Sequence, residues 1–206
     1  MLTLYHAGGL SAPVAAHIAL EEAGAVYRTV RIDLEAGDQR QSEFLKLNPK
    51  GRVPVLLTER GVLTETVAIL LYVAQTHPNA GLAPSDPFEL ARMQSFNAYL
   101  ASTVHVAHSM KFRGSRWSDD PAAIATMQAK VSVNMRRCAE VIEHDYLVGP
   151  WVLGDCFTVS DPYLHLINLW MESDGVDIAS FPRMAAHKAA MMKRPAVRKV
   201  TAHYSA

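Results

Sequence analysis

Three short segments of the sequence carry the groups best placed to do chemistry. The first runs from Tyr5 to Pro13 and joins a glycine turn to Ser11, just ahead of a helix pattern. A thiolate held there would feel the helix dipole, free N–H groups and a hydroxyl, which lower the pKa of a thiol from about 8.5. Alternatively, Ser11 only caps the helix, a common role for serine.

The second segment, residues 48–54, reads Asn-Pro-Lys-Gly-Arg-Val-Pro. Pro54 opens an apolar strand, and a proline is tolerated at the first residue of a strand. The alternative is a cis Val53–Pro54 bond, which would offer the N–H and C=O of Val53 to an extended peptide ligand. The residues alone favour the ordinary strand start.

The third segment is Leu63-Thr64-Glu65-Thr66-Val67, at the start of another helix pattern. Plain capping accounts for Thr64 as N-cap and for Glu65 in the first turn. The same helix start can also hold the carboxylate of a ligand on its free N–H groups and on the Thr66 hydroxyl. With Glu65 beside a ligand ammonium, the segment complements the head group of an α-amino acid.

Two histidines, His105 and His108, lie one helical turn apart in a later helix pattern. That spacing suits a metal. No third ligand is in view, however, so the sequence predicts no metal site. We expect His105 to line a substrate cleft, and a solvated surface histidine is the alternative.

The elements around these segments alternate in the first part of the chain and then become uniformly helical. Period-two and helical patterns predict the order βαβαββα, with the second helix over residues 39–47, and this is the order of the thioredoxin fold. Beyond a turn-rich stretch, long helix patterns follow one another without strand signals, and the first has its apolar stripe at Met93, Phe96, Leu100 and Val104. We therefore predict an α+β protein, with a thioredoxin-like domain over residues 1–78, a linker over 79–86 and an all-helical domain over 87–206.

Composition restricts the partners and the compartment. Lys and Arg together number 20, as do Asp and Glu, so no electrostatic footprint for nucleic acid or an anionic membrane is present. The longest apolar run, Val67–Ala74, is far shorter than the roughly 20 residues that span a bilayer. The first residues do not form a secretory signal, and the two cysteines suit a reducing cytosol. We expect a cytoplasmic protein that binds neither nucleic acid nor a membrane.

Taken in order and spacing, these motifs resemble those of cytosolic glutathione transferases, nearest to the bacterial beta class. The resemblance rests on Tyr5, Ser11-Ala-Pro13, Ile18–Gly24, Asn48–Pro54, Leu63–Thr66 and Phe157–Tyr163. It implies a cis bond before Pro54, a backbone pairing of Val53 with the cysteinyl part of glutathione, and a γ-glutamyl head held by Glu65 and Thr66. It also implies that Ser11 faces the sulfur, that Thr158 and Asp161 form a capping box, and that the protein is a homodimer.

The chain also departs from the pattern of that class. Leu10 stands where a cysteine is usual, so no mixed disulfide with glutathione can form there. Val106 replaces the lysine that tends to follow the histidine at position 105, and Glu35 occupies the place of a basic residue that often reaches glutathione. Arg40, Lys50 or Arg52 could take over that basic role, and the sequence does not choose among them.

The predicted function is therefore conjugation of glutathione, as co-substrate, to small hydrophobic electrophiles by a glutathione S-transferase. The alternatives are a glutathione-dependent peroxidase or isomerase, and a non-catalytic ligand-binding module of the same fold. We expect an acceptor pocket formed by the Leu10 loop with His105, His108, Phe112 and Trp117. The predicted catalytic residues are Ser11, His105 and Tyr5, with Tyr5 ranked below Ser11, and those predicted to bind glutathione are Leu10, Arg52, Val53, Pro54, Glu65 and Thr66.

Overall fold

The first part of the chain folds as a four-stranded mixed sheet with three helices. The computed structural model describes residues 1–205. Its first elements are β1 (Leu2–His6), α1 (Pro13–Glu22), β2 (Tyr27–Arg31), α2 (Ser42–Leu47), β3 (Val55–Thr58), β4 (Gly61–Thr64) and α3 (Thr66–Thr76). The βαβαββα order predicted from the sequence is confirmed.

The strands lie in the order β2-β1-β3-β4. β1 and β2 are parallel, so helix α1 must cross over between them, whereas β3 pairs antiparallel with both β1 and β4. Helix α1 is buried from Pro13 to Leu20. Its small alanines let it pack at once against α3 and against two later helices, α7 (Ser160–Ser173) and α9 (Pro195–Ser205). This packing fixes the loop before α1, residues 7–12, at the junction of the two parts of the chain.

The rest of the described chain is helical. Its long helices are α4 (Pro87–Tyr99), α5 (His105–Arg113), α6 (Pro121–Val141), α7 (Ser160–Ser173), α8 (Pro182–Lys193) and α9 (Pro195–Ser205). A π-helical turn, Leu100–Val104, joins α4 to α5 without a break. The side chains predicted to form the buried stripe of this long helix, Met93, Phe96, Leu100 and Val104, are all 0% exposed. The thioredoxin-like sheet followed by a helical part is the predicted fold class.

The predicted capping box at the start of α7 is present, with one change. The carboxylate of Asp161 accepts from the backbone N–H of Thr158 at 2.7 Å, as a capping box requires. The Thr158 hydroxyl accepts from Ser160 at 3.3 Å, one residue earlier than predicted. Asp161 also accepts from the N–H of Val152 at 2.9 Å and lies 3.1 Å from the ring of His187. This carboxylate therefore joins three segments of the helical part.

Two other predicted caps are wrong. Helix α1 begins after Ala12 with no side-chain cap, because Pro13 occupies its first position and the Ser11 hydroxyl turns back to the Ala7 carbonyl at 3.4 Å. Helix α3 likewise begins after Glu65 without a side-chain cap. The hydroxyl of Thr64 instead accepts from the ammonium of Lys50 at 2.7 Å. These helix starts therefore keep their backbone N–H groups free of side-chain caps.

Helix α2 is shorter than predicted. The expected helix over residues 39–47 is broken at Gln41, whose backbone is extended, so that a single 3₁₀ turn, Asp38–Arg40, precedes α2. None of the helices within residues 1–205 is both long and apolar enough to cross a bilayer.

Candidate functional site

A cavity of about 320 Å³ lies between the loop of residues 48–54, the start of α3 and the α4–α5 helix. Six of the nine predicted site residues line it: Arg52, Val53, Pro54, Glu65, Thr66 and His105. Segments predicted separately from three parts of the sequence therefore meet around one space.

The loop of residues 48–54 is held in place by Asn48, which is 1% exposed. Its amide donates to the Arg52 carbonyl at 2.7 Å, and its carbonyl oxygen accepts from the N–H of Lys50 at 3.2 Å. Gly51 has φ of 61°, and a Cβ there would lie 3.0 Å from the Gln39 carbonyl, so the turn requires glycine. The Val53–Pro54 bond is cis, as the resemblance implied.

The start of α3 combines an acidic side chain with free backbone donors. Glu65 has φ of 71°, the sole positive value for a non-glycine residue within residues 1–205, and such conformations cluster at functional sites. Thr66 and Val67 open the helix and line the cavity, and the first N–H groups of a helix have no partner inside it. The carboxylate of Glu65 pairs with the ammonium of Lys50. This corner of the site thus accepts an ammonium next to a helix N-terminus.

The loop of residues 7–12 is tied to the helical part through Trp170. The indole N–H of Trp170 donates to the Leu10 carbonyl at 2.6 Å, while the Leu10 side chain is 46% exposed. The Trp170 ring stacks on His108, with 4.4 Å between ring centroids and 1° between planes, and lies 4.6 Å from the His105 ring. Helix α7 therefore positions the loop through the Trp170 hydrogen bond.

His108 does not line the cavity, contrary to the prediction for the acceptor pocket. Its Nδ1 lies 2.7 Å from the buried carboxylate of Asp174, to which Lys111 is also paired at 3.2 Å. Phe112 lies outside the cavity too, whereas Trp117 lines it. His108 lies one helical turn after His105, and at that position it contacts Trp170 of α7 and Asp174 instead of the cavity.

His105 lines the cavity as a neutral imidazole. Burial, helped by the positive charges of His108, Arg116 and Arg52, lowers the pKa of His105 to about 4, against a smaller opposing effect of Glu65. At neutral pH the imidazole can donate or accept a hydrogen bond but carries no charge. It suits a polar contact with a substrate better than an ion pair.

Positive charge enters the cavity through two arginines, Arg52 and Arg116. Burial, followed by the charges of Arg52 and Arg113, lowers the pKa of the Arg116 guanidinium. Glu65 is the carboxylate that lines the same space, and it is already paired with Lys50. The cavity therefore has an acidic corner at α3 and a positive side at the two arginines.

Comparison with known proteins shows what family shares this arrangement. Residues 1–75 match the family pattern described as "Glutathione S-transferase, N-terminal domain". The chain is 30% identical over 205 residues to the glutathione S-transferase GstA of Escherichia coli O157:H7, covering 96% of this chain and 95% of that protein. The chain belongs to the glutathione S-transferase family. It is also 30% identical over 194 residues to a maleylacetoacetate isomerase of Rhizobium meliloti, covering 89% and 87% of the two chains.

Solved structures of glutathione S-transferases superpose on this chain over almost its whole length. A glutathione transferase homologue from Sulfitobacter with bound glutathione is 45% identical, with a TM-score of 0.95 and 98% of both chains covered. A beta class glutathione S-transferase from Sphingomonas chungbukensis is 30% identical, with a TM-score of 0.84 and 98% of both chains covered. The beta class thus lies among the structural neighbours of this transferase family member.

Three of the predicted site residues of this glutathione S-transferase lie outside the cavity lining. Leu10 and Ser11 belong to the loop of residues 7–12, of which Ala12 alone lines the cavity. Tyr5 sits in β1 opposite Val55, with its ring 6.2 Å from that of Phe44. The structure therefore brings Ser11 to the edge of the site and leaves Tyr5 in a small apolar cluster behind it.

Two lining residues of this glutathione S-transferase with ionisable side chains, Arg116 and Tyr163, were missed from the sequence. Arg116 follows α5 in a 3₁₀ turn and directly precedes Trp117, which was predicted to line the pocket, so the neighbouring residue offered a signal. Tyr163 is 1% exposed and reaches the cavity from α7. Burial, with the charge of Glu65, raises the pKa of its hydroxyl. A tyrosine on an apolar helix stripe is typical of a core residue, and the sequence held no sign that it lines a cavity.

Metal chemistry was not expected here. Within the described part of the chain, no three or more His, Cys, Asp or Glu side chains are grouped so as to hold a metal ion.

Proposed function

We propose that the protein binds glutathione in this cavity, stabilises its thiolate and joins the tripeptide through its sulfur to a small electrophile. The observation that carries the proposal is that one cavity joins Val53 and Pro54, the Glu65–Thr66 helix start and the neutral His105. Membership of the glutathione S-transferase family and the bound glutathione of the Sulfitobacter homologue support it.

In the proposed complex, the γ-glutamyl head lies at the start of α3. Its ammonium takes the place of the Lys50 ammonium against Glu65, and its carboxylate accepts from the free N–H groups and the hydroxyl of Thr66. The cysteinyl backbone pairs with Val53 in the manner of an added strand. The thiol then points towards the loop of residues 7–12.

Ser11 is the proposed donor to the thiolate. Its hydroxyl makes a long contact of 3.4 Å to the Ala7 carbonyl, and this weak bond is easily exchanged for a charge-assisted one. Because Leu10 has no thiol, the protein forms no covalent bond, and catalysis rests on ionisation of glutathione and on positioning. His105 contacts the acceptor as a neutral donor, and Tyr5 is a weaker candidate for the sulfur because it stands behind the cavity.

In the proposed reaction the thiolate attacks an electrophilic carbon of the acceptor, forming a C–S bond while the leaving group departs with the electron pair. A second candidate function is glutathione-dependent isomerisation, in which the thiolate adds to a double bond and is expelled again. The chain is as similar to a maleylacetoacetate isomerase as it is to GstA, and this similarity supports isomerisation as the second candidate. Both reactions use the same bound thiolate.

We also propose the division into a thioredoxin-like domain over 1–78, a linker over 79–86 and a helical domain over 87–206, working as a cytoplasmic homodimer. Sedimentation equilibrium of the purified chain tests the dimer, and limited proteolysis tests whether cleavage falls between the two domains.

Calorimetry with reduced glutathione tests the proposed function. We expect saturable heat, and a Glu65→Gln variant that binds about tenfold or more weakly, because a hydrogen bond to a charged group contributes about 1.5–3 kcal/mol. The matched control is Glu43→Gln, which removes an exposed carboxylate on α2 that pairs with Lys46. An aryl chloride such as 1-chloro-2,4-dinitrobenzene then measures transfer, and an α,β-unsaturated cis ketone measures isomerisation.

Absence of heat with millimolar glutathione would contradict the proposal. Saturable binding without turnover of either electrophile would instead indicate a non-catalytic binding module.

A further inference from the structure

Arg52 and Arg116 bring two guanidinium groups to one cavity from different walls. Arg52 belongs to the loop that leads into Val53, and Arg116 to the 3₁₀ turn Gly114–Arg116 that follows α5. Neither guanidinium has an ion pair or a side-chain hydrogen bond within the described chain. Two like charges therefore share one space, and neither is paired with a carboxylate of the described chain.

Nothing else that lines the cavity neutralises this pair. His105 stands in the same wall and is neutral at pH 7. Glu65 lies in the cavity as well, but its carboxylate is paired with Lys50, and in the proposed complex it receives the glutathione ammonium. Both arginines line the cavity and are exposed, so their guanidinium groups are open to anionic groups that arrive with the ligands.

Glutathione supplies one of these anions. Of its two carboxylates, the γ-glutamyl one is assigned to the start of α3, which leaves the glycyl carboxylate. Arg52 is the nearer cation for it, because it directly precedes the residue that pairs with the cysteinyl backbone. Arg116 is then left with no group of glutathione to bind.

The neighbours of Arg116 belong to the acceptor side. The helical wall that it shares also contains Val106, Ser109 and Trp117, which together form a mixed apolar and polar surface opposite the glutathione loop. An arginine fork at the rim of such a surface recognises a planar carboxylate through paired hydrogen bonds.

We propose that the acceptor of this transferase is an electrophile that carries a carboxylate, and that Arg116 binds this carboxylate. The inference rests on the proposed function. The chemistry is unchanged: the glutathione thiolate forms a C–S bond with the electrophilic carbon, and the leaving group departs with its electron pair. Arg116 orients the acceptor and takes no part in the bond changes.

A matched pair of electrophiles tests the inference, namely 4-chloro-3,5-dinitrobenzoate and its methyl ester. Chloride leaves from both, and they differ in the charge at one end. For Arg116→Met, which keeps a long apolar stem, we expect KM for the benzoate to rise about five- to tenfold, and KM for the ester and for glutathione to change less than twofold. Arg116→Lys should recover part of the loss, because it restores the charge without the fork.

Arg113→Met is the matched control, because Arg113 lies in the same turn region but does not line the cavity. It tests whether loss of any nearby positive charge is enough to raise KM for the benzoate. We expect less than a twofold change in that KM. The unaltered protein offers a second measurement. High salt should raise KM for the benzoate more than KM for the ester, since charge pairs at an accessible rim are screened.

Equal responses of benzoate and ester to Arg116→Met would overturn the inference. A rise in KM for glutathione in that variant would overturn it too, because Arg116 would then bind the tripeptide. Either result leaves the proposed function standing if glutathione binds and the ester turns over, whereas absence of glutathione heat and of all turnover refutes both.

Discussion

The hydrogen bond from Trp170 to the Leu10 carbonyl connects helix α7 with the loop that is proposed to face the sulfur. Replacing Trp170 by phenylalanine removes this donor and keeps most of the ring that packs against His108 and His105. Trp170 is 4% exposed, so the phenylalanine occupies the same buried slot. The substitution therefore tests how much the loop depends on this single polar tie.

The size of the effect follows from the structure. A net hydrogen bond contributes about 0.5–1.5 kcal/mol. The exposed Leu10 loop lets water reach the freed carbonyl, so the full penalty for an orphaned acceptor is not incurred. The smaller ring adds a packing loss of about 1 kcal/mol. We expect Trp170→Phe to lower the free energy of unfolding by about 1–2.5 kcal/mol.

The functional consequence is a less ordered loop around the thiolate. If the hydrogen-bond free energy, about 1 kcal/mol, is lost from thiolate stabilisation, the pKa of bound glutathione rises by up to about 0.7 units. Ultraviolet titration of the thiolate in the binary complex measures this pKa, and urea unfolding measures the stability.

Trp151→Phe is the matched control for Trp170→Phe. Trp151 packs on Arg194 and Phe157 in the helical part, and its indole N–H makes no hydrogen bond within the described chain. We expect the control to leave the pKa of the bound thiol unchanged. A folded Trp170→Phe protein with an unaltered thiol pKa would refute the idea that α7 positions the sulfur loop.

Three further predictions concern the sulfur donor, acid stability and the α7 cap. Ser11→Ala should raise the pKa of bound glutathione by about 1–2 units, the worth of one charge-assisted hydrogen bond, and an unchanged thiolate titration would remove Ser11 from the mechanism. Burial, with the charges of His203 and His6, lowers the pKa of His17 to about 4. The unfolded chain therefore binds more protons than the folded one between pH 6.5 and 4. The free energy of unfolding accordingly decreases as the pH is lowered through that window, by up to about 3 kcal/mol. Urea unfolding at pH 7.5 and pH 5 checks this. His17→Phe should make the dependence shallower but not abolish it, because burial also lowers the pKa of His105 and of His165 to about 4; an equally steep loss in that variant would contradict the assignment. Asp161→Asn should cost about 2–4 kcal/mol in urea unfolding, because a buried carboxylate with two backbone donors loses its charge, and a loss under 1 kcal/mol would contradict its role as the α7 cap.

The order of the elements was predictable because it depends on local periodicity. The stripe through Phe96 and Leu100 has helical spacing and is fully buried, and the apolar run Val55-Leu56-Leu57 before a turn marks one arm of a hairpin. The caps were less predictable, because serine and threonine compete with proline and with backbone turns within one or two residues. The Ser11 hydroxyl has an acceptor behind it in the Ala7 carbonyl, and Thr64 has a donor across the cavity rim in Lys50.

The candidate site divides in the same way. Two contiguous motifs contain Val53, Pro54, Glu65 and Thr66. The residue types in these motifs already indicate which groups of a ligand they could bind. Arg116, in contrast, follows α5 in a short turn and reaches the cavity only because α5 and the start of α3 line the same space. Such placement depends on contacts between distant segments, which carry no local pattern.

The glutathione side and the acceptor side of the cavity therefore differ in how readily they can change. Under the proposed function, the glutathione side consists of backbone groups and one acid held by a tight loop, so few substitutions there are compatible with binding. The acceptor side consists of side chains on a helical wall, where exchanging Arg116 alters charge without moving the backbone of Val53 or α3. The two relatives at 30% identity to this chain, GstA and the maleylacetoacetate isomerase, are accordingly named for different reactions. Under the proposed function, charge on the helical wall of this chain, rather than its fold, is then the property that selects its acceptor.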